Sequence, residues 1–478
     1  MPEGQGGFSW SSPCNTTQGM PEGQGGFKKG EKMNRQRFLK TGVLAAAGAT
    51  SLTCKAAAQE DVSAIIAREM KRSESDYVVY VPKSVDGSTF DNGNEHFLVF
   101  DGPDGSLMAV WTQSTAEGAG DHRIMFVRST DEGLTWSSPQ RIAGPARKGE
   151  GNQASWGFPM VSASGRIYVV YNQYQGIHDY HHQVTGTMDC IYSDDAGKTW
   201  SRPGTIPMKR SPLDHPDTSY PSNWIVWQKP VKDLSGRWYT GFTRWVSRAV
   251  RTKPLSKSWT EDESVTEFMR YENIDDNPEP KDIRISWFAF GDRALRVGHY
   301  HNPLLSVCQE PSIVRLPDDR LFCTMRTMTA YIWYSLSDDD GESWCAPRPL
   351  LRRDHGRPIL EPLFCCPVYR MSDGRYLLVH HPEFGGVDPG KTGGPESNRR
   401  PAYIAVGEYR PGAEQPLWFS ESRLLMDNGG HGIGPLNRVD IGGYTSFTTR
   451  GGNDVLWHPE RKFFLLGKKI TREMVKGM

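Results

Sequence analysis

The side chains best suited to proton transfer or metal binding in this chain are its histidines. His96, His178, His181, His182, His215, His380, His381 and His431 fall in or beside predicted strands and loops. Imidazole titrates near neutrality, so the run His178-Asp179-Tyr180-His181-His182 could bind a metal or relay a proton. A loop that holds these polar residues incidentally fits the same letters. Six cysteines lie beyond residue 58: Cys190, Cys308, Cys323, Cys345, Cys365 and Cys366. None forms a CxxC pair, which argues against a zinc ribbon. They could pair in an oxidising compartment or remain buried thiols, and spacing does not choose between these. No metal and no cofactor is expected.

The elements that must position these groups are announced by a repeated turn. Ser129-Thr130-Asp131-Glu132-Gly133-Leu134-Thr135-Trp136 returns as Ser193-Asp194-Asp195-Ala196-Gly197-Lys198-Thr199-Trp200. It returns again as Ser337-Asp338-Asp339-Asp340-Gly341-Glu342-Ser343-Trp344. Each copy follows an apolar run, which suits a strand, a tight turn and another strand. The Asp can bond the turn's N–H groups, the Gly takes positive φ, and the Trp packs under the turn. Three copies with five fixed positions indicate a repeat. A second signal, Asp104-Gly105, Ser164-Gly165, Ser235-Gly236, Asp318-Asp319 and Asp373-Gly374, marks an equivalent hairpin in successive units. Strand candidates group into six units, the first over Phe97–Phe100, Leu107–Thr112 and Ile124–Arg128. The third has Trp224–Gln228, Trp238–Trp245 and a worn turn near Ser256–Trp259, followed by a charged segment, 262–300, expected to be a rim loop. The fold class expected is all-β: a six-bladed β-propeller of four-stranded antiparallel blades. Radial closure removes the exposed edges of so many short strands. Val78–Val81 is expected to complete the last blade.

Lys+Arg and Asp+Glu are both 56, so net charge is zero. That excludes a generic nucleic-acid or membrane-surface binder, which would carry a basic excess. MPEGQGGF at Met1–Phe8 recurs at Met20–Phe27, and residues 1–32 are read as disordered or as lying before the true start at Met33. Residues 33–58 have a basic region, an apolar run (Thr41–Leu52) and small residues at Ala56-Ala57-Ala58, the form of an export signal. It is similar to a bacterial twin-arginine signal with Gln36 displacing the second arginine of the pair, and the Sec route also fits. Periplasmic or secreted location is expected, with Cys54 a weak candidate for lipidation. The apolar run is short of the ~20 residues of a membrane span. Residues 59–76 are read as a linker with a short helix, and 77–478 as the propeller.

The boxed turns and the unit count resemble the sialidase superfamily, whose six-bladed propellers carry such Asp-boxes (BNR repeats) on outer turns. The resemblance covers roughly 77–470. It implies an exo-glycosidase acting on a terminal sugar, with a Tyr nucleophile, a Glu base, an Asp acid/base and arginines on the substrate carboxylate. A neutral nucleophile suits an anomeric carbon that bears a carboxylate. Two like charges ~4 Å apart would cost about 4 kcal/mol at an effective dielectric near 20. A phenol of pKa near ~10 then needs a base beside it.

Carried over by motif, the resemblance makes Glu310, in Cys308-Gln309-Glu310-Pro311, the base and Arg326 a carboxylate-binding arginine. In Asn398-Arg399-Arg400-Pro401, Arg400 is the first choice for a second arginine and Arg399 the other. Tyr444, in Gly442-Gly443-Tyr444-Thr445, is the nucleophile, and Asp121 the acid/base, with Glu117 able to substitute. One feature departs from the family: its first inner strand opens with an arginine, whereas this chain has Asn94-Glu95-His96. Glu95 and His96 then face the substrate, and Arg123 lies on a strand farther out. Tyr220 to Trp227 supply aromatics for stacking on sugars or for the core. The expected activity is a sialidase-like hydrolysis of terminal acidic sugars from glycans by a monomer. The alternatives are a propeller lyase acting on uronic-acid glycans through His and Tyr, and a non-catalytic carbohydrate-binding propeller.

Overall fold

The computed structural model describes residues 61–381 and 399–478. The MPEGQGGF repeat, the export signal read at 33–58 and Cys54 lie outside them. Six antiparallel sheets built on four strands follow one another along the chain, two of them with a short extra strand, Val231–Lys232 in the third and Arg423–Met426 in the fifth. Blade 1 runs Gly93–Asp101, Leu107–Ser114, Arg123–Ser129 and Gln140–Ala143, and blade 2 Ala154–Val161, Ile167–Gln173, Thr187–Ser193 and Gly204–Ile206. Blade 3 is Trp224–Ile225, Trp238–Trp245, Ser264–Tyr271 and Ile285–Phe288, and blade 4 Cys308–Arg315, Leu321–Thr327, Trp333–Ser337 and Arg348–Pro349. Blade 5 is Val368–Arg370, Tyr376–His380, Ala402–Tyr409 and Leu417–Phe419. Blade 6 joins Ser446–Arg450, Asn453–Glu460 and Phe464–Ile470 to Tyr77–Tyr80, so the first strand of the domain closes the last sheet. The architecture is the six-bladed propeller expected.

One stretch differs from expectation. The charged segment 262–300 is no rim insertion, because it holds the third and fourth strands of blade 3. Its alternation, Val265, Glu267, Met269 and Tyr271, is obscured because the buried Glu267 is neutralised by Arg244 at 2.8 Å. The worn turn at 256–259 is not a box between strands. It leads into the short helix Trp259–Glu261 ahead of the third strand.

The apolar core is divided among the seams between blades. Val110, Ile124 and Phe126 of blade 1 meet Phe158 and Val170 of blade 2, and Phe322 and Tyr334 of blade 4 meet Val368 and Leu378 of blade 5. The boxed turns staple these seams. In the first, Asp131 accepts from Thr135 N at 2.9 Å and Ser129 Oγ at 2.8 Å, and Ser129 Oγ accepts from Gly133 N at 2.9 Å. Asp195 and Asp339 repeat the pattern. Each turn is pressed onto the preceding blade. A Cβ on Gly133 would lie 2.7 Å from Trp457, and one on Gly341 2.5 Å from the Tyr239 ring. Trp344 stacks on Phe268 at 4.2 Å and donates to Tyr239 Oη at 3.0 Å.

The inner strands are laced around the axis by side chains. Gln228 exchanges hydrogen bonds with Ser312 Oγ and Ile313 N. Ser446 Oγ accepts from Val99 N, and Lys229 Nζ donates to the carbonyls of Val99 and Phe447, both at 3.2 Å. The helix predicted in 60–75 forms at Val62–Ser73. It rests Ile65, Ile66 and Met70 on Phe463, Phe464 and Leu466 of blade 6, and Glu69 pairs with the buried Arg461 at 2.7 Å.

Gly341 has φ of 91° and Tyr239 against it. Gly341→Ala is expected to cost about 2–4 kcal/mol, from the left-handed backbone and the overpacked seam together. Chemical denaturation measures it, with Gly374→Ala as the comparison, since Gly374 shares the positive φ but has open space at its Cβ.

Candidate active site

Four inner strands open with a bulky residue in the left-handed conformation: His96 (φ 56°), Trp156 (60°), Glu310 (50°) and Tyr444 (52°). In blades 1, 2 and 4 this residue is part of a β-bulge. Pairing steps from Glu95↔Thr112 to Leu98↔Val110, from Ser155↔Asn172 to Phe158↔Val170, and from Gln309↔Arg326 to Ser312↔Thr324. One extra residue in each inner strand re-aims a side chain. Neighbouring groups hold the conformation. Trp156 N donates to Thr112 Oγ1 at 2.9 Å, Glu310 N to Thr243 Oγ1 at 2.6 Å, and Tyr444 N to Cys365 Sγ at 3.0 Å.

The four converge. Tyr444 Oη donates to Glu310 Oε1 at 2.9 Å. Arg326 Nη1 donates to the same Glu310 oxygen at 2.7 Å and to Tyr444 Oη at 3.2 Å. The Tyr444 ring lies 5.8 Å from Trp156, 5.8 Å from Phe364 and 6.2 Å from Trp227, and Trp156 lies 5.2 Å from His96. Burial, and then the Glu310 charge, raise the Tyr444 pKa well above its ordinary value, so the phenol is neutral and hydrogen-bonded to a base. Arg326 is buried, which by itself disfavours its charge, but Glu310 more than restores it. Burial lowers the His96 pKa to about 3, partly offset by the backbone of Trp227, so this ring is neutral. Glu310 Oε2, Arg326 Nε, Arg399 Nε and Trp156 Nε1 are buried without a hydrogen-bond partner among the described residues. Buried polar atoms are ordinarily satisfied, and such a cluster fits a polar ligand.

Of the two arginines weighed in blade 5, the structure turns Arg399 inward and Arg400 outward. Arg399 is 4% exposed, lies 4.5 Å over the Phe364 ring and donates to Leu363 O at 3.0 Å. It is close enough for its charge to favour the ionised forms of Tyr444 and Glu117. Arg400, the first choice, pairs with Asp427 at 2.6 Å on the rim. Successive residues of an extended chain point to opposite sides, so only one of the pair can face the axis. Asp121 is buried, yet its oxygens accept from Thr115 N at 3.1 and 3.3 Å and from Thr115 Oγ1, closing its own loop. It is not brought against Tyr444. Arg123 is likewise occupied, by Gln113 and the carbonyls of Phe90 and Ala146.

At Asn94-Glu95-His96 a cation arrives from elsewhere in the chain. Asn94 is a structural pin that donates to Asp91 O and Phe463 O and accepts from Trp111 and Gln113. Lys462, in the last hairpin of blade 6, places its ammonium 4.9 Å over the Tyr444 ring. It pairs with Glu117 at 2.6 Å and Glu95 at 3.3 Å, and Arg438 also pairs with Glu117. The two carboxylates part company. Burial disfavours the charge of both, but Lys462 and Arg438 hold Glu117 ionised. Burial, then the charge of Glu117, raises the Glu95 pKa to about 7. Lys462 went unnoticed in the sequence, because Glu460-Arg461-Lys462 reads as a solvated turn.

The remaining histidines stay apart from Tyr444 or are occupied. His181 stacks on His182 at 4.2 Å in a blade 2 loop, near His178. His381 bonds Glu361 at 3.0 Å and Ile441 O at 2.7 Å, which fixes the segment leading into Tyr444. Among the described residues no three His, Cys, Asp or Glu side chains are grouped to hold a metal ion, and the six cysteines are free thiols.

A family model described as BNR repeat-like domain matches residues 105–383, more than half of the chain. No curated protein sequence matches. Among solved structures, a protein of unknown function from Dyadobacter fermentans superposes with TM-score 0.53 at 13% identity, covering 83% of this chain and 96% of its own. A Hadza microbial sialidase gives 0.54 at 14%, covering 80% and 66%. The intramolecular trans-sialidase of Ruminococcus gnavus, solved with oseltamivir carboxylate, gives 0.52 at 13%, covering 84% and 98%. At such identities the likeness is one of fold.

Glu310→Ala would strand the buried Arg326 charge, and a loss of about 3–5 kcal/mol of unfolding free energy is expected. Arg400→Ala, at a rim pair, should cost within about 1 kcal/mol. Denaturant titration of the two variants tests the inward and outward assignments together.

Proposed function

The chain belongs to the BNR repeat-like domain family, and on that premise we propose that it is a sialidase-like exo-glycosidase that removes terminal acidic sugars from glycans. The observation that carries this reading is the contact of Tyr444 Oη with Glu310 Oε1 at 2.9 Å, with Arg326 bridging both, in a buried cluster of unsatisfied polar atoms. In this reading Tyr444 attacks the anomeric carbon while its proton passes to Glu310. A glycosyl-tyrosine forms as the bond to the leaving group breaks, and water then releases the sugar. Arg326 and Arg399 bind the acidic group of the substrate. Trp156 and Phe364 offer faces for the ring.

The proton for the leaving oxygen is assigned to Glu95 in place of Asp121. A general acid must keep its proton near neutrality, and burial gives Glu95 that property while Lys462 holds it in line. Glu117, ionised between two cations, lacks it. The lyase alternative has less support, since His178, His181 and His182 lie on a rim loop. Export through the signal at 33–58 is part of the proposal, as is a single catalytic domain over 77–478.

Two measurements test it. Tyr444→Phe is expected to abolish release of fluorophore from a 4-methylumbelliferyl sialoside that wild type cleaves. Equal release by both proteins would remove Tyr444 from the reaction, and no release by either would exclude sialic acid as the sugar.

The second is a pH profile of kcat/KM. Glu95 donates only while protonated, so the wild-type rate should hold below pH 7 and fall as pH rises through the pKa of about 7. Glu95→Gln should lose about 10²–10⁴-fold and show no such fall. An unchanged alkaline limb in Glu95→Gln would refute the assignment.

A further inference from the structure

We propose that the loop between the second and third strands of blade 3, residues 247–262, is a second saccharide subsite that takes the anionic units of a sulfated or uronic-acid glycan whose end occupies the centre. This rests on the reading of the centre as a glycan site. The loop bounds a cavity of about 500 Å³ whose lining includes Arg248, Arg251, Lys253, Leu255, Lys257 and Asp262. Four cations thus face one carboxylate, and that carboxylate, Asp262, is taken by Arg251. Among the described residues no carboxylate lies within ion-pairing distance of Arg248, Lys253 or Lys257, all of which are exposed.

The acidic residues that could neutralise the loop are turned away from the cavity. Glu263 accepts from Thr252 N at 2.6 Å and from Arg296 at 3.0 Å, and Glu261 accepts from Ser256 N at 2.8 Å. The loop therefore uses its carboxylates to fix its own backbone and leaves its cations for solvent or a ligand. A ring of positive charge on a braced loop selects anions, and does so more strongly at low ionic strength.

Aromatic faces connect this cavity to the centre. The indole of Trp259, 39% exposed at the end of the loop, lies 5.8 Å from the guanidinium of Arg326. Arg248 lies 5.2 Å over the Tyr180 ring, which stacks on Trp245 at 5.7 Å and 13°. Trp259 is the exposed ring of the three, and an exposed indole beside cations suits a sugar ring bearing carboxylates or sulfates, the ring packing on the face and the anion on the cation. A neutral chain would find the stacking surface and nothing for the charges.

The test is isothermal titration calorimetry with a heparin tetrasaccharide, maltotetraose and a single-stranded DNA 12-mer at about 50 and 200 mM NaCl. Wild type is expected to bind the heparin tetrasaccharide, more weakly at the higher salt, and to bind maltotetraose at least about tenfold more weakly. Lys253→Glu/Lys257→Glu should weaken heparin binding about tenfold or more, and Trp259→Ala should weaken it without reducing the salt dependence. Both lysines are exposed, so unchanged thermal melts should accompany the loss. Failure of wild type to bind the heparin tetrasaccharide, equal binding of maltotetraose, tighter binding of the DNA, or no effect of the double reversal would each overturn the proposal. Binding is read without turnover, so these outcomes are independent of whether Tyr444→Phe abolishes catalysis.

Discussion

Four bulky side chains at the axis are held where the backbone strongly prefers glycine. A left-handed residue with a Cβ costs about 1–2 kcal/mol, and His96, Trp156, Glu310 and Tyr444 incur that cost together. The bulges that contain the first three break the regular alternation of their inner strands, and with the left-handed turn at Tyr444 they point a tyrosine, a glutamate, an indole and an imidazole at one another. The conformation persists because the surroundings over-determine it. Thr112, Thr243 and Cys365 each accept the otherwise orphaned N–H, and each comes from the preceding blade. The centre is thus not a property of any one blade. It exists only when the ring is closed.

Closure depends on two sets of contacts at different radii. Near the rim the boxed turns press on the preceding blade, with Gly133 against Trp457 and Gly341 against Tyr239. At the axis the inner strands exchange hydrogen bonds through Gln228, Ser312 and Ser446. Between them lie the apolar seams. A blade displaced at the rim would be felt at the axis, since one hydrogen-bonded sheet carries both contacts. This explains why turns remote from the chemistry recur so faithfully in the chain.

The fold was legible because its signals are local. A boxed turn, an Asp-Gly hairpin and a strand of period two can each be read from a few residues, and three boxed turns, five hairpin signals and six groups of strands leave little choice of architecture. Blade 3 was misread where buried charge imitates a loop, with Glu267 neutralised by Arg244 across the sheet. The centre was legible only in part. Tyr444, Glu310 and Arg326 stand in motifs that mark them, and the structure brings them together. Arg399 and Arg400 differ by one position, and which of two neighbours faces inward is decided by the phase of the strand. The bonding of Asp121 could not be read, because it depends on a loop that turns the carboxylate onto Thr115. Lys462 arrives from a hairpin far along the chain to meet Glu95 and Glu117, and no short window of sequence contains that meeting.

Lys229 gives the axis a floor. Its ammonium bridges the carbonyls of Val99 and Phe447, and the fully buried Trp227, its ring 6.2 Å from that of Tyr444, donates to Pro311 O at 2.9 Å. These two side chains thus tie together the inner strands of several blades across the axis. In the proposed reading, a glycan end that reaches Tyr444 meets these side chains and leaves by the mouth it entered. In that reading one terminal unit is cut per visit, and the detached unit must clear the site before the shortened chain can settle again.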